Sequence, residues 1–370
     1  MILHVFNPDH DLAMASNLVH FTAPFAGRGL RADLCYIPAL WSQPGDAVLV
    51  DDKAFAEQQF RQFLVSSGIE RDAPHWLRWT ELATTALDGV EPWGWNRALR
   101  HQLLSHGVSE AVLPTADEID DFRRLSHRRY AAELLRRVQS DGTTGVAAEC
   151  QSIDEIEEKI ISGVPFVVKA PWSSSGRGVR FFDGGMLGES QKIQNLRGWI
   201  ANVLRTQGSV MVEPYYNKVI DIGMEFVSDG MGRIDYLGLS LFFTDGSAYT
   251  GNLLATETEK EGIISRYIST DLLERTKAKL QEELGLLYKG HYRGPFGVDM
   301  MVVSVGATDK KTVPDNPSGD YLLHPCVEIN LRRTMGHVAL ALSSPDVLSR
   351  RQVMRVSYDG SFHLQLTGRP

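Results

Sequence analysis

The sequence predicts an α/β front followed by an α+β body, on three observations. Short apolar runs alternate with helical patterns up to about residue 160; from about Pro165 the apolar runs follow one another as strands; and a polar, turn-rich segment, 307–320, interrupts the strand-rich part. At 370 residues the chain exceeds one comfortable core and suggests two or three domains.

In order along the chain, Met1–Phe6 is a short buried strand followed by the polar turn Asn-Pro-Asp-His-Asp. Ala47–Val50 is expected as a strand and Lys53–Ser67 as a helix, and Glu110–Leu113 as a strand ending at Pro114. Leu125–Val138 reads as one amphipathic helix with Leu125, Ala131, Leu134, Leu135 and Val138 on its inner face. Ser152 and Glu155 form a capping box for the next helix. The runs FVVKA, VRFF, SVMVEPYY, DIGMEFV and YLGLSLFF are then strands. Asp359-Gly360 suits the turn of a closing hairpin. Trp93, Trp95, His75 and Trp76 are expected in packing. These patterns divide the chain into a substrate domain at 1–124, a first subdomain at 125–212 and a second at 213–370.

Composition excludes several classes. Hydrophobic residues make up 43% and charged residues 23%, with a net charge of −8, so no electrostatic footprint for nucleic acid is expected. No apolar run is long enough for a bilayer, the start lacks a signal-peptide pattern, and the three cysteines are widely spaced. The expectation is a cytoplasmic protein without a disulfide framework or zinc site.

Three stretches carry chemistry. In VVKAPWSSSGRGV, Lys169 offers a point charge, while Ser173, Ser174, Ser175 and the backbone around Gly176 and Gly178 offer donors suited to phosphate oxygens. Neither GxxxxGK[ST] nor GxGxxG accounts for it; the plain alternative is a serine-rich hairpin. In GPFGVDMM, Asp299 sits alone on an apolar strand. In CVEINLRR, Glu328, Asn330 and Arg332 alternate with apolar residues and share one strand face. Two carboxylates and an amide oxygen suit Mg²⁺; the plain alternative is a salt-bridged surface strand.

With VMVEPYY between the first and second of these stretches, the sequence resembles the ATP-grasp superfamily over roughly residues 125–342, with four motifs in the order that superfamily uses. The resemblance implies two subdomains sandwiching ATP, with Mg²⁺ or Mn²⁺. It implies that Lys169 contacts the phosphates and the adenine edge, that Ser174, Ser175 and Gly176 belong to a mobile loop over the β- and γ-phosphates, and that Glu213 and Tyr215 lie at the adenine hinge. It places Asp221 at the ribose, Asp299, Glu328 and Asn330 on the metal ions, and Arg332 beside the transferred phosphoryl group. The superfamily's second phosphate lysine is absent; Arg128 is the first candidate to replace it, with His127 or Arg129 as alternatives.

The activity implied is formation of an acyl phosphate from a small-molecule or peptide-like carboxylate, then attack by an amine or similar nucleophile, in a protein expected as a homodimer. A nucleotide-binding regulator without turnover and a small-molecule kinase are the alternatives. Asn7, Asp9, His10 and Asp11 either line an acceptor pocket or cap a helix, and Tyr249, Asn252, His291 and Arg293 are further candidates for substrate contact. Cys326 either lines the site or packs.

Overall fold

The computed structural model describes all residues except 160–163, 174–175, 177, 183–190, 247, 306–320, 344, 349–351 and 369–370. The front is built on four parallel strands, β1 (Ile2–Val5), β2 (Ala47–Leu49), β3 (His75–Leu77) and β4 (Gly89–Pro92), in the order β3-β2-β1-β4. Helices α1 (His10–Ser16), α2 (Phe25–Asp33), α3 (Lys53–Ser67) and α4 (Arg97–Ser105) accompany them. Both faces of the sheet are covered. Leu3, Val5, Leu49, Leu99 and Leu103 fill one side, while Val48, Val50, Phe60 and Phe63 belong to the other. This explains why β1 and β2 read as continuous apolar runs rather than alternating ones. Helix α3 is closed at both ends as its sequence suggests: Asp52 accepts from the Phe55 amide, and Gly68 adopts a left-handed φ of 64°.

Two expectations are corrected here. Glu110–Val112 is a single 3₁₀ turn rather than a strand. Its run is too short for periodicity to decide, and the Ser109 hydroxyl accepts from the Ala111 amide, which favours a turn. The helix expected from Leu125 to Val138 begins only at Arg128 (α6, Arg128–Val138), and Leu125 instead ends a separate helix, α5 (Ala116–Leu125). Thr115 and Glu118 form a capping box for α5, and the His127 ring caps α6 by accepting from the Arg129 amide. The break at Ser126-His127 puts Arg128 at a helix start.

A second, antiparallel sheet contains β5 (Ala148–Cys150), β6 (Phe166–Lys169), β7 (Val179–Phe182) and β8 (Val210–Pro214), in the order β5-β8-β6-β7. Helices α7 (Ile153–Lys159) and α8 (Gln191–Gln207) accompany it, with Ile156, Ile200 and Val203 meeting Cys150, Val168, Val210 and Val212. The Ser152 hydroxyl accepts from the Glu155 amide at 3.2 Å at the start of α7.

The third sheet has seven strands: β9 (Lys218–Ser228), β10 (Ile234–Asp245), β11 (Ala248–Leu254), β12 (Gly294–Ser304), β13 (Tyr321–Asn330), β14 (Gln352–Tyr358) and β15 (Phe362–Gly368). Their order is β13-β12-β9-β10-β11-β14-β15, with every neighbouring pair antiparallel. Helices α9 (Glu257–Ile264), α10 (Thr270–Tyr288) and α11 (Met335–Leu342) accompany the sheet. Leu134, Leu135 and Val138 of α6 share one core with Leu280, Leu284 and Tyr288 of α10 and with Phe226 and Phe296 of the sheet. Met354 and Leu364 of the closing hairpin join Phe6, Phe60 and Phe63 of the front. The front and the closing hairpin β14–β15 therefore share one packed interior.

Among the described residues no helix is long and apolar enough to cross a membrane. The segment 307–320 lies outside the described residues.

Candidate active site

The site begins with the register of β12 and β13. Asp299 is the direct partner of Glu328, and Gly297 that of Asn330. Two carboxylates are thus placed side by side, and Asn330 bridges them to the next residue of interest: its Nδ2 donates to Asp299 at 2.9 Å, and its Oδ1 accepts from Arg332 at 2.9 Å.

The pairing is costly for Asp299. Burial, then the neighbouring Glu328 and Glu225 carboxylates, push its carboxyl up from the ordinary 3.8 to about 8. A buried acid held beside two other acids is a place where a cation relieves repulsion. Among the described residues no group of three or more His, Cys, Asp and Glu side chains is arranged for a metal. Two carboxylates and an amide would therefore leave other coordination positions to phosphate oxygens and water, the manner in which Mg²⁺ is usually held. The donor set fits Mg²⁺ in that sense.

Glu225 was not singled out by its sequence. It is 2% exposed, accepts from the Thr334 hydroxyl at 2.8 Å and lies 3.0 Å from His337 Nδ1. A Cβ on Gly336 would come within 1.8 Å of its Oε1, so only glycine fits there. The signals were the second acid of the strand DIGMEFV, set among apolar residues, and the Thr-Met-Gly-His run after CVEINLRR.

Both arginines expected near phosphate already hold carboxylates. The Arg128 guanidinium donates from Nη2 to Glu328 at 2.7 Å and from Nη1 to Ser173 Oγ at 2.9 Å and to the Ala170 carbonyl. Arg332 donates from Nε and Nη2 to Asp11 of α1, at 2.8–3.1 Å. Burial alone would lower the Arg332 pKa, but Asp11, Glu328 and Asp299 outweigh it and hold it above the ordinary value. Burial would likewise raise Asp11, and Arg332 reverses the shift. Of the other two candidates at the helix start, Arg129 pairs with Glu149 at 3.0 Å. The His127 ring lies edge-on to Trp172, and burial, helped by Arg129, lowers its pKa to about 3.

On the small sheet, Lys169 donates to Glu213 at 2.7 Å across neighbouring strands β6 and β8, with both side chains largely buried. His324 lies 1% exposed with neither ring nitrogen bonded; burial, then the Lys169 charge, lowers its pKa to about 3. Gly176 adopts a left-handed φ of 73°, which favours glycine at that turn; Ser174 and Ser175 lie outside the described residues. Tyr215 is half exposed, with its ring edge-on to Phe181. Asp221 accepts from Lys218 and from Thr244 Oγ1.

Cys326 is 2% exposed, and burial followed by Asp299 and Glu213 drives its thiol far above the ordinary value. It is a protonated packing residue, not a nucleophile. The strand is also not regular there: Asp299 faces Glu328 while Met301 faces His324, so β13 bulges around Pro325. Of the further candidates, Tyr249 donates to Asn252, which is fully buried and bonded to Ser240. His291 contacts Asp121 on α5.

A cavity lies between the front and β13, lined among others by His10, Asp11, Ser126, Ser173, Glu328 and Asn330. It joins residues from the start of α1, the α5–α6 break, the serine loop and β13.

No protein-family model matches the sequence, and none of the curated proteins does. Solved structures do. The chain is similar in structure to ATP-grasp proteins. The N5-carboxyaminoimidazole synthetase from Staphylococcus aureus in complex with ADP is 12% identical, with 96% of this chain and 82% of that one covered at a TM-score of 0.48. A biotin carboxylase from Campylobacter jejuni is 14% identical over 94% of this chain and 68% of that one, at 0.47. A putative ATP-grasp superfamily protein from Archaeoglobus fulgidus is 11% identical, covering 100% of both chains, also at 0.47.

Proposed function

We propose that the protein is an ATP- and Mg²⁺-dependent ligase that activates a carboxylate as an acyl phosphate for attack by an amine or similar nucleophile. The observation that carries this reading is that Glu328, Asn330 and Ser173 line one cavity while hydrogen bonds tie Arg128 to Glu328 and Ser173, and Asp299 and Arg332 to Asn330. Phosphoryl transfer asks a protein mainly for positioning and for neutralisation of charge. Bound at Asp299, Glu328 and Asn330, Mg²⁺ would supply that neutralisation. Lys169 and Arg128 bring cations from the small sheet and α6 to the phosphate side. Arg332, clasped by Asp11, is fixed where it would stabilise negative charge on the transferred group. Asp11 and His10 bring the front domain to the same cavity, from which the carboxylate substrate would approach.

A second reading has one observation in its favour. Arg128 stands in for the superfamily's lysine and is engaged by Glu328, so cation and metal ligand neutralise each other. A nucleotide-binding regulator without turnover would tolerate that arrangement.

Incubation with ATP, Mg²⁺ and pools of carboxylates and amines separates the readings. ADP release that requires both pools, with hydroxylamine trapping the acyl phosphate as a hydroxamate, supports the ligase. Release with one alcohol acceptor alone means a kinase, and nucleotide binding without release means a regulator.

A further inference from the structure

A second cavity, of about 250 Å³, opens at the carboxyl ends of the front strands. The order β3-β2-β1-β4 reverses direction at β1, with β2 on one side and β4 on the other. Open parallel sheets bind ligands at such a switch point. Here the floor comes from Asn7 and Asp9 after β1 and from Asn96 after β4, and α2 supplies Arg28 and Arg31.

The lining sorts into fixed and available groups. Asn7 is used up, donating to the Gly94 carbonyl and accepting from the Gly94 amide. Asn96 caps α4 through the Leu99 amide. Asp9 is different: its Oδ1 is buried and has no hydrogen-bond partner. Among the described residues neither Arg28 nor Arg31 has a carboxylate within ion-pair distance, although Arg31 is the nearest influence of opposite charge on Asp9. Arg31 is held over the Trp79 ring, 5.8 Å from its centre, and Arg28 donates to the Ala23 carbonyl. Two oriented forks and one unsatisfied carboxylate oxygen thus face one small space.

We propose that this crevice binds a small amphoteric metabolite whose anionic end meets Arg28 and Arg31 and whose ammonium or hydroxyl end donates to Asp9. Guanidinium forks recognise both carboxylate and phosphate, so the anionic end is one of these two. A volume of about 250 Å³ lies just below the common range of roughly 300–1,000 Å³ for ligand pockets, which suits a small metabolite. The site is distinct from the cavity at Glu328 and goes beyond the ligase reading. The turn after β1 divides the two, with Asn7 and Asp9 lining this one and His10 and Asp11 lining the other.

The test is calorimetric titration of the full chain, without nucleotide, using the twenty amino acids singly, phosphoethanolamine, inorganic phosphate and ethanolamine. We expect at least one amino acid, or phosphoethanolamine, to bind on the order of tenfold or more tightly than the two single-charge probes, since a charged hydrogen bond contributes about 1.5–3 kcal/mol. Amino acids binding means a carboxylate site, and phosphoethanolamine binding means a phosphate site. Arg31→Gln should weaken that binding at least tenfold while keeping the response to Mg-ATP. Arg28→Gln, at an exposed position, carries the same expectation if the first variant fails to fold. The proposal is overturned if no amphoteric probe exceeds the single-charge probes, or if both variants bind as the parent does. A lost Mg-ATP response with amphoteric binding intact would instead tell against the ligase reading alone.

Discussion

Replacing Asp299 with asparagine isolates the electrostatic cost built into the site. The substitution keeps the side-chain shape and an acceptor for Asn330 Nδ2, now at 2.9 Å from Asp299, and deletes the ionisable group. In the folded chain that group titrates near 8 instead of the ordinary 3.8. Below the unfolded value neither state is charged, and Asp299 does not affect stability. Between the two values the unfolded chain has lost the proton that the folded chain keeps, so stability falls as pH rises; above about 8 the loss is complete. At roughly 1.4 kcal/mol per unit, that interval sets a ceiling of several kcal/mol. Because Glu328 and Glu225 share the repulsion, we expect Asp299→Asn to be more stable than the parent by about 2 kcal/mol at pH 9, with the gap closing towards pH 4. The assay is urea unfolding at pH 5, 7 and 9 with a chelator present. A gap that does not change with pH, or a variant less stable at pH 9, refutes the electrostatic reasoning. The variant should also lose most of its stabilisation by Mg-ATP, since stabilisation follows binding to the folded state.

Three further outcomes are expected. Mg-ATP at millimolar concentration should raise the melting temperature, and ATP with a chelator should raise it less; a thermal-shift titration with no response to Mg-ATP tells against the whole reading. Glu328→Gln should abolish turnover in the ADP-release assay and lower apo stability by about 1–3 kcal/mol, because the buried Arg128 loses its carboxylate; an apo protein as stable as the parent would mean that the pair contributes little. Arg332→Met should reduce the rate by two or more orders of magnitude while Mg-ATP still binds, and a double-mutant cycle with Asp11→Asn should show coupling of at least about 1 kcal/mol; additive effects would show that the clasp does not position Arg332.

What the sequence made legible was local. Glu328 and Asn330 could be read as one group because strand side chains repeat every two residues, whereas Arg332, expected on the same strand face, lies past the end of β13 and joins them through Asn330; the grip of Asp52 and Gly68 on α3 follows from their residue types. The α5–α6 break was missed because Ser126-His127 interrupts a helical pattern without glycine or proline, and the cap is a histidine ring. The bulge around Pro325 was equally hidden, because it shows only in the register of β13 against β12. Glu225 was hidden because its partners, Thr334 and His337, come from an element more than a hundred residues away.

The same distance in sequence separates what the site contains from how it is held. Arg128 and Glu328 are 200 residues apart, and Asp11 and Arg332 are 321 apart, so no spacing rule announces either pair. Both pairs join different parts of the fold: α6 to β13, and α1 to the segment just past the end of β13. In each, a cation suited to phosphate is held by a carboxylate. For Arg128 the proposed function implies an exchange: phosphate would take the arginine only as Glu328 gave it up, and Glu328 released beside Asp299 would add repulsion that a cation would relieve. Nucleotide and metal each make the other's entry less costly, so their binding should be coupled through this one carboxylate. For Arg332 the consequence is different, because Asp11 stands outside the metal set and has no reason to let go. Its fork holds the guanidinium in place through the cycle, and the front domain is thereby tied to the strand on which the proposed chemistry depends.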